Sequence, residues 1–152
     1  MATDIKDLGF GDKIALSPGG EIKEPALADG IAMAGSVVAI ADADGKAKGT
    51  DLAVNDLFTG IQAKRYDTAI DTAPAAGKKI SIIVPKPGNK YIIRIVDPAG
   101  ALVTGTYLTW SSTAGSLIAC TNLATTLERN VCKVVDIARA NLDTTAIVRW
   151  GI

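Results

Sequence analysis

Histidine is absent from this chain of 152 residues, and with it the side chain most used for proton transfer near neutral pH and for binding transition metals. Catalytic triads, Cys/His dyads and histidine-bearing zinc sites are excluded. Cys120 and Cys132 are the only two cysteines, too few for a disulfide-stapled scaffold of this size or for zinc without other ligands. They read as small buried hydrophobes. Aromatic residues make up 5%, so a core must be built from Ala, Val, Ile, Leu and Thr. Neither sign of charge is in excess, with 16 Lys plus Arg against 16 Asp plus Glu, so no long-range field gathers nucleic acid or anionic membrane. No apolar run approaches the roughly 20 residues that cross a bilayer; residues 30–41 are interrupted by small side chains and end at Asp42. The first residues place acids where a secretory signal carries cations and an apolar stretch. The expectation is a soluble protein made, and kept, in the cytoplasm of the producing cell.

What is present is 48% apolar residues, 15 glycines and 6 prolines. That is core enough for one domain, cut by many turns. Residues 1–12 carry charges and glycines without periodicity and read as an arm, leaving 13–152 as the folded domain. Residues 13–16 and 21–24 flank Ser17-Pro18-Gly19-Gly20 and predict a hairpin. A second hairpin follows from the β-branched run at 35–41, Asp44-Gly45, and Lys46-Ala47-Lys48. Thr50 could cap one helical turn running to Leu57. Residues 57–64 alternate weakly, and the Ala-rich stretch 67–77 contains Pro74, which predicts a loop.

Residues 79–84 and 90–96 are the strongest strand signal, two β-branched runs flanking Pro87-Gly88-Asn89. Shorter strands are expected at 101–103, 106–110, 116–120, 131–137 and 146–150, spaced near ten residues apart. Residues 123–130 and 137–142 could each form a helical turn, without the sustained period of a helix. The pattern predicts an all-β barrel or sandwich with long loops. No internal repeat of fixed period is visible.

Candidate chemistry is sparse. Asp42-Ala43-Asp44-Gly45 resembles the start of a calcium loop, but its glycine comes too early and position twelve is Ala53, so the stretch reads as a turn. Asp67 and Asp71 stand four apart, as a general acid/base pair on one helical turn would. Pro74 argues against that helix, and solvated loop acids are the plainer reading. Gly9-Phe10-Gly11 lacks the third glycine and preceding strand of a dinucleotide site. Lys46, Lys48, Lys78 and Lys79 lack the interleaved aromatics of a single-strand binder and read as solvated strand ends. Trp110 and Trp150 end β-rich runs, where a wide ring closes a barrel or seals an interface more often than it stacks on a sugar.

Several stretches together resemble the capsid decoration, or cement, proteins of tailed viruses with HK97-type shells. They are residues 28–40, residues 58–64, residues 79–85 with their Pro-Gly-Asn turn, residues 103–109 and residues 145–150. The resemblance implies a single β-barrel or β-tulip domain, assembled as a homotrimer at local threefold positions on the exterior of the virion. There it would bind the major capsid protein and stabilise the shell, with no catalytic residue, metal or cofactor. Ile5, Leu8 and Phe10 are the expected anchors of the arm, which would otherwise fold back on its own barrel, and Trp110 and Trp150 are further interface candidates. Other classes compete with this reading. A β-sandwich glycan- or ligand-binding module would use Trp110, Tyr107 or Tyr91, an enzyme would need an acid pair or a reactive thiol, and a tail or tube component is a related structural role.

Overall fold

A computed structural model describes residues 13–16, 21–40, 45–49, 59–96, 102–110, 115–119, 132–136 and 145–150. Among them are ten strands: β1 (Ile22–Ala28), β2 (Val37–Ile40), β3 (Lys46–Lys48), β4 (Thr59–Gln62), β5 (Lys79–Val84), β6 (Lys90–Val96), β7 (Tyr107–Trp110), β8 (Leu117–Ala119), β9 (Cys132–Asp136) and β10 (Thr145–Trp150). The fold is all-β, as the turn-rich, β-branched sequence requires. The barrel, however, is double: β1-β3-β2-β4-β5 closes into one, and β10-β6-β8-β7-β9 into another. The arm and the three possible helical turns lie outside the described residues.

Strand positions follow the sequence pattern, whereas partners do not always do so. β2 and β3 form the expected hairpin, with Ala39 opposite Lys48 and Ile40 opposite Ala47. The hairpin expected between 13–16 and 21–24 does not form. β1 instead pairs antiparallel with β5, from Ile22 opposite Val84 to Leu27 opposite Lys79. Residues 13–16 attach to β6: Ala15 bridges Tyr91, Ile92 N donates to Ile14 O at 2.8 Å and Leu16 N to Lys90 O at 2.9 Å. These bonds occupy backbone groups along an edge of β6 that would otherwise stand open.

β5 and β6, despite the turn between them, belong to different barrels. The connector carries Pro85 and Pro87, which restrict φ and remove donors. It is also tied to the end of β10 that lies beside the start of β6, where Gly88 N donates to Trp150 O (2.9 Å) and Trp150 N to Asn89 O (3.1 Å). The expected strand at 101–103 is absent from the described part of that stretch: Leu102 is buried against the core and Val103 is exposed.

The two barrels repeat one plan. In each, the first strand is parallel to the third and antiparallel to the fifth, and the second lies between the third and fourth. The ladders also coincide in register. Matching the pair Ala26↔Ile80 to Ile93↔Ala146 matches Ile40↔Ala47 to Trp110↔Leu117 and Val38↔Gly60 to Leu108↔Cys132. The backbone pairing thus shows a repeat that the sequence does not carry as a fixed period. Matched positions lie 67 residues apart at Ala26 and Ile93 but 70 apart at Ala47 and Leu117, so no fixed period appears in the sequence.

Packing differs between the halves. The first barrel encloses Ala26, Ala28, Ala32, Val38, Ala47, Ile80 and Ile82, a lining narrow enough for five strands. At matched positions the second barrel buries larger groups, with Ile93 for Ala26 and Leu117 for Ala47. Its core is continuous with Val37, Ile61 and Ile83 on the outside of the first barrel and with Ile14, Ala34 and Ile70. The halves are therefore joined through a shared apolar core.

Candidate partner-binding surface

Alternation along β1 and β5 sends Ala26, Ala28, Ile80 and Ile82 inward and leaves Lys23, Pro25, Leu27, Lys79 and Ser81 on the opposite face. Lys23, Pro25, Lys79 and Ser81 are exposed and Leu27 is half-buried. Leu27 is flanked by Lys79 on β5 and Lys46 on β3, so cations from neighbouring strands converge beside an apolar floor. The loop after β4 forms one wall. There Pro25, Lys64, Arg65, Tyr66, Lys79 and Ser81 line a cleft of about 400 Å³. Lys64 and Tyr66 also line an adjoining cleft of about 430 Å³, together with Lys13, Glu21, Lys23 and the apolar Ile14, Ala15, Ala63 and Ile83.

The electrostatics of this face are lopsided. Asp67, close to the wall, is paired with Arg65 Nε at 3.0 Å. Glu21 Oε2 accepts the Tyr91 hydroxyl at 3.1 Å. Glu24 on β1, opposite Ile82 of β5, has the other parity and is exposed. The Arg65 guanidinium stands 4.9 Å over the centre of the Tyr66 ring, a cation–π contact that holds an 86% exposed aromatic at the rim. The face is a shallow cationic groove with apolar footing, suited to binding an extended anionic group by contact.

The residues singled out from sequence are dispersed. Ile5, Leu8 and Phe10 lie outside the described residues, as do Asp42, Asp44, Ala53 and Cys120. Trp110 ends β7 and Cys132 begins β9. Trp150 is half-buried against the shared core, its ring edge-on to Tyr91 at 6.5 Å and 83°, so it closes the end of the second barrel. Tyr91 is itself fully buried, which removes it from any exposed sugar-stacking face. Its hydroxyl also accepts from Lys86 N at 2.9 Å, and burial raises its pKa above the usual phenol value. Tyr107 is half-buried with Lys133 Nζ 5.3 Å from its ring centre.

Asp67 and Asp71 form no acid/base pair; Asp67 is an exposed loop acid, as expected, whereas Asp71 is half-buried. Each is taken by a different arginine, Asp67 by Arg65 and Asp71 by Arg94, both at 3.0 Å. Lys46 and Lys79, read from sequence as separate strand ends, meet across Leu27. Sequence missed this grouping because it depends on which strands pair.

No family model and no curated protein matches the chain. Among solved structures, the head fiber gp8.5 N base in bacteriophage phi29 is similar in outline, at 12% identity and a TM-score of 0.49, over 87% of this chain and 95% of that one.

Proposed function

We propose that this chain is a structural virion protein of a phage, one that attaches to the outside of a capsid shell and stabilises it by bridging neighbouring major capsid subunits. The observation that carries the reading is the joining of two closed barrels by one core into a rigid body. Bridging requires such a body, because a contact made at one end constrains the position of the other only if the protein between them does not bend.

The stretches that resemble decoration proteins support the same reading. Residues 37–40, 59–62, 79–84, 107–110 and 145–150 fall within strands of the two barrels, the parts that set shape. As a homotrimer the protein would make several shell contacts at once, each later one effectively intramolecular, so modest single interfaces would sum to firm attachment. On this reading no substrate is turned over and no cofactor is needed.

The test is the mass of the purified chain in solution together with a cryo-EM map of the particle fraction that contains it. A mass three times the 15.7 kDa of the chain and threefold density outside the shell are expected. A monomer found in no particle fraction overturns the proposal.

A further inference from the structure

We infer that the outer face of the β1–β5 pair is a docking surface for an extended, acidic segment of a partner protein. The internal repeat supplies the argument. Matching the barrels by their ladders places Lys23, Pro25 and Leu27 of β1 at the positions of Lys90, Ile92 and Arg94 of β6, and Lys79 and Ser81 of β5 at those of Thr145 and Ile147 of β10. In the second barrel this face is covered. Ile92 and Thr145 are fully buried and Ile147 nearly so, the two isoleucines sharing a core with Ile14, Ala34 and Ile70 of the first half.

What covers it is chain from the first barrel. The loop after β4 brings Asp71 to Arg94, and the segment 13–16 runs along β6. The same face therefore appears twice, once covered by a loop whose carboxylate meets a cation, and once open.

The open copy has Leu27 at the position of Arg94, with the cation Lys79 opposite it and Lys23 four residues before it on β1. Lys23 and Lys79 are exposed on the strands, while Pro25 and Leu27 supply apolar contact between them. A segment alternating acidic and apolar residues matches this face, since successive side chains of an extended chain point in opposite directions. A nucleic-acid strand fits less well: Tyr66 is one exposed ring where base stacking uses several. If the chain attaches to a capsid, the segment belongs to a shell subunit, and in that respect the inference rests on the preceding proposal. The surface itself can be tested without a particle.

The experiment measures fluorescence anisotropy of a labelled ten-residue peptide of alternating Glu and Leu, titrated with the full chain at low and moderate salt. A labelled twelve-nucleotide oligo-dT is run in parallel. Binding of the peptide that weakens with added salt is expected. At least tenfold weaker binding is expected in the double variant Lys23→Glu, Lys79→Glu, and unchanged binding in Lys133→Glu on the second barrel. The neutral pair Lys23→Gln, Lys79→Gln, with its unfolding midpoint checked against wild type, should fall between. No peptide binding at low salt, equal binding by the charge-reversed variant when folded, or tighter binding of the oligonucleotide than of the peptide each overturns the inference. Absence of the protein from particles, with peptide binding intact, would overturn only the capsid proposal.

Discussion

Arg94 on β6 donates from Nη2 to Asp71 Oδ1 at 3.0 Å, joining the second barrel to the loop that follows β4 of the first. The same guanidinium donates to the carbonyls of Ile70 (3.1 Å) and Ala34 (2.9 Å), and the backbone N–H of Arg94 donates to Gly35 O at 3.0 Å. With side-chain exposures of 13% and 16% for Arg94 and Asp71, the pair is largely withdrawn from water. A single residue thus ties four residues of the first half to one strand of the second.

Removing the arginine takes the counter-charge from a mostly buried carboxylate and a donor from each of two carbonyls. Arg94→Ala is expected to lower the unfolding free energy by about 3 kcal/mol. Asp71→Asn keeps an acceptor for the guanidinium and should cost about 1 kcal/mol. Arg94→Lys should rescue little, because an ammonium cannot reproduce the planar fork that reaches several acceptors. Urea denaturation of the three variants checks the order. Equal stability of Arg94→Ala and wild type would show that the shared apolar core holds the barrels without this clamp.

Gly115, just before β8, touches residues of the first barrel. Its carbonyl accepts from Val37 N at 3.0 Å and its N–H donates to Gly49 O at 2.6 Å. A β-carbon there would lie 2.7 Å from both Cβ and Oγ of Ser36, at a φ of +73°. Gly115→Ala therefore meets a clash in addition to left-handed strain, and should destabilise by about 2–3 kcal/mol. Gly88→Ala is the control: φ is +87° with nothing within 4 Å, so strain alone applies, about 1 kcal/mol. Thermal melts of the two variants should differ by several degrees, with Gly115→Ala the lower.

Tyr91 gives an alkaline signature. Burial raises its pKa above 10.0, with the Glu21 carboxylate adding to the rise and the Lys86 N–H opposing it. The folded protein holds the phenolic proton more tightly than the unfolded chain does. The associated stability is complete below the unfolded phenol value of about 10 and is lost as pH climbs through the higher folded value. Tyr91→Phe should remove that part of the alkaline decline and, by deleting the bonds to Lys86 and Glu21, cost about 1–2 kcal/mol at neutral pH. Unfolding free energies of both proteins across pH 8 to 12 check this. An alkaline slope identical in the two would assign the decline to other groups.

Much of the strand content was legible because strands are local. The β-branched runs at 79–84 and 90–96 favour extended backbone by themselves, and Gly45, with its φ of +69°, helps turn β2 back onto β3 within a few residues. The expectation of a loop at 67–77 likewise followed from Pro74. On the outer face of β1, single lysines were visible but their placement was not, since Lys46 and Lys79 flank Leu27 only because β1 lies between their strands.

The sequence alone determined that this protein is all-β, has a core of small and branched aliphatic residues, and cannot use histidine chemistry. Tertiary structure alone decided that there are two barrels, that β5 and β6 part company, that 13–16 joins β6 rather than 21–24, and that Asp71 answers Arg94. The reason is physical. An extended backbone reports on its own side chains, whereas a ladder partner or a buried counter-charge is chosen by which distant segments together bury the most apolar surface and leave the fewest polar groups unpaired. The repeat shows the same division: it is kept in hydrogen-bond register, which Ala47 and Leu117 obey equally, and not in residue identity.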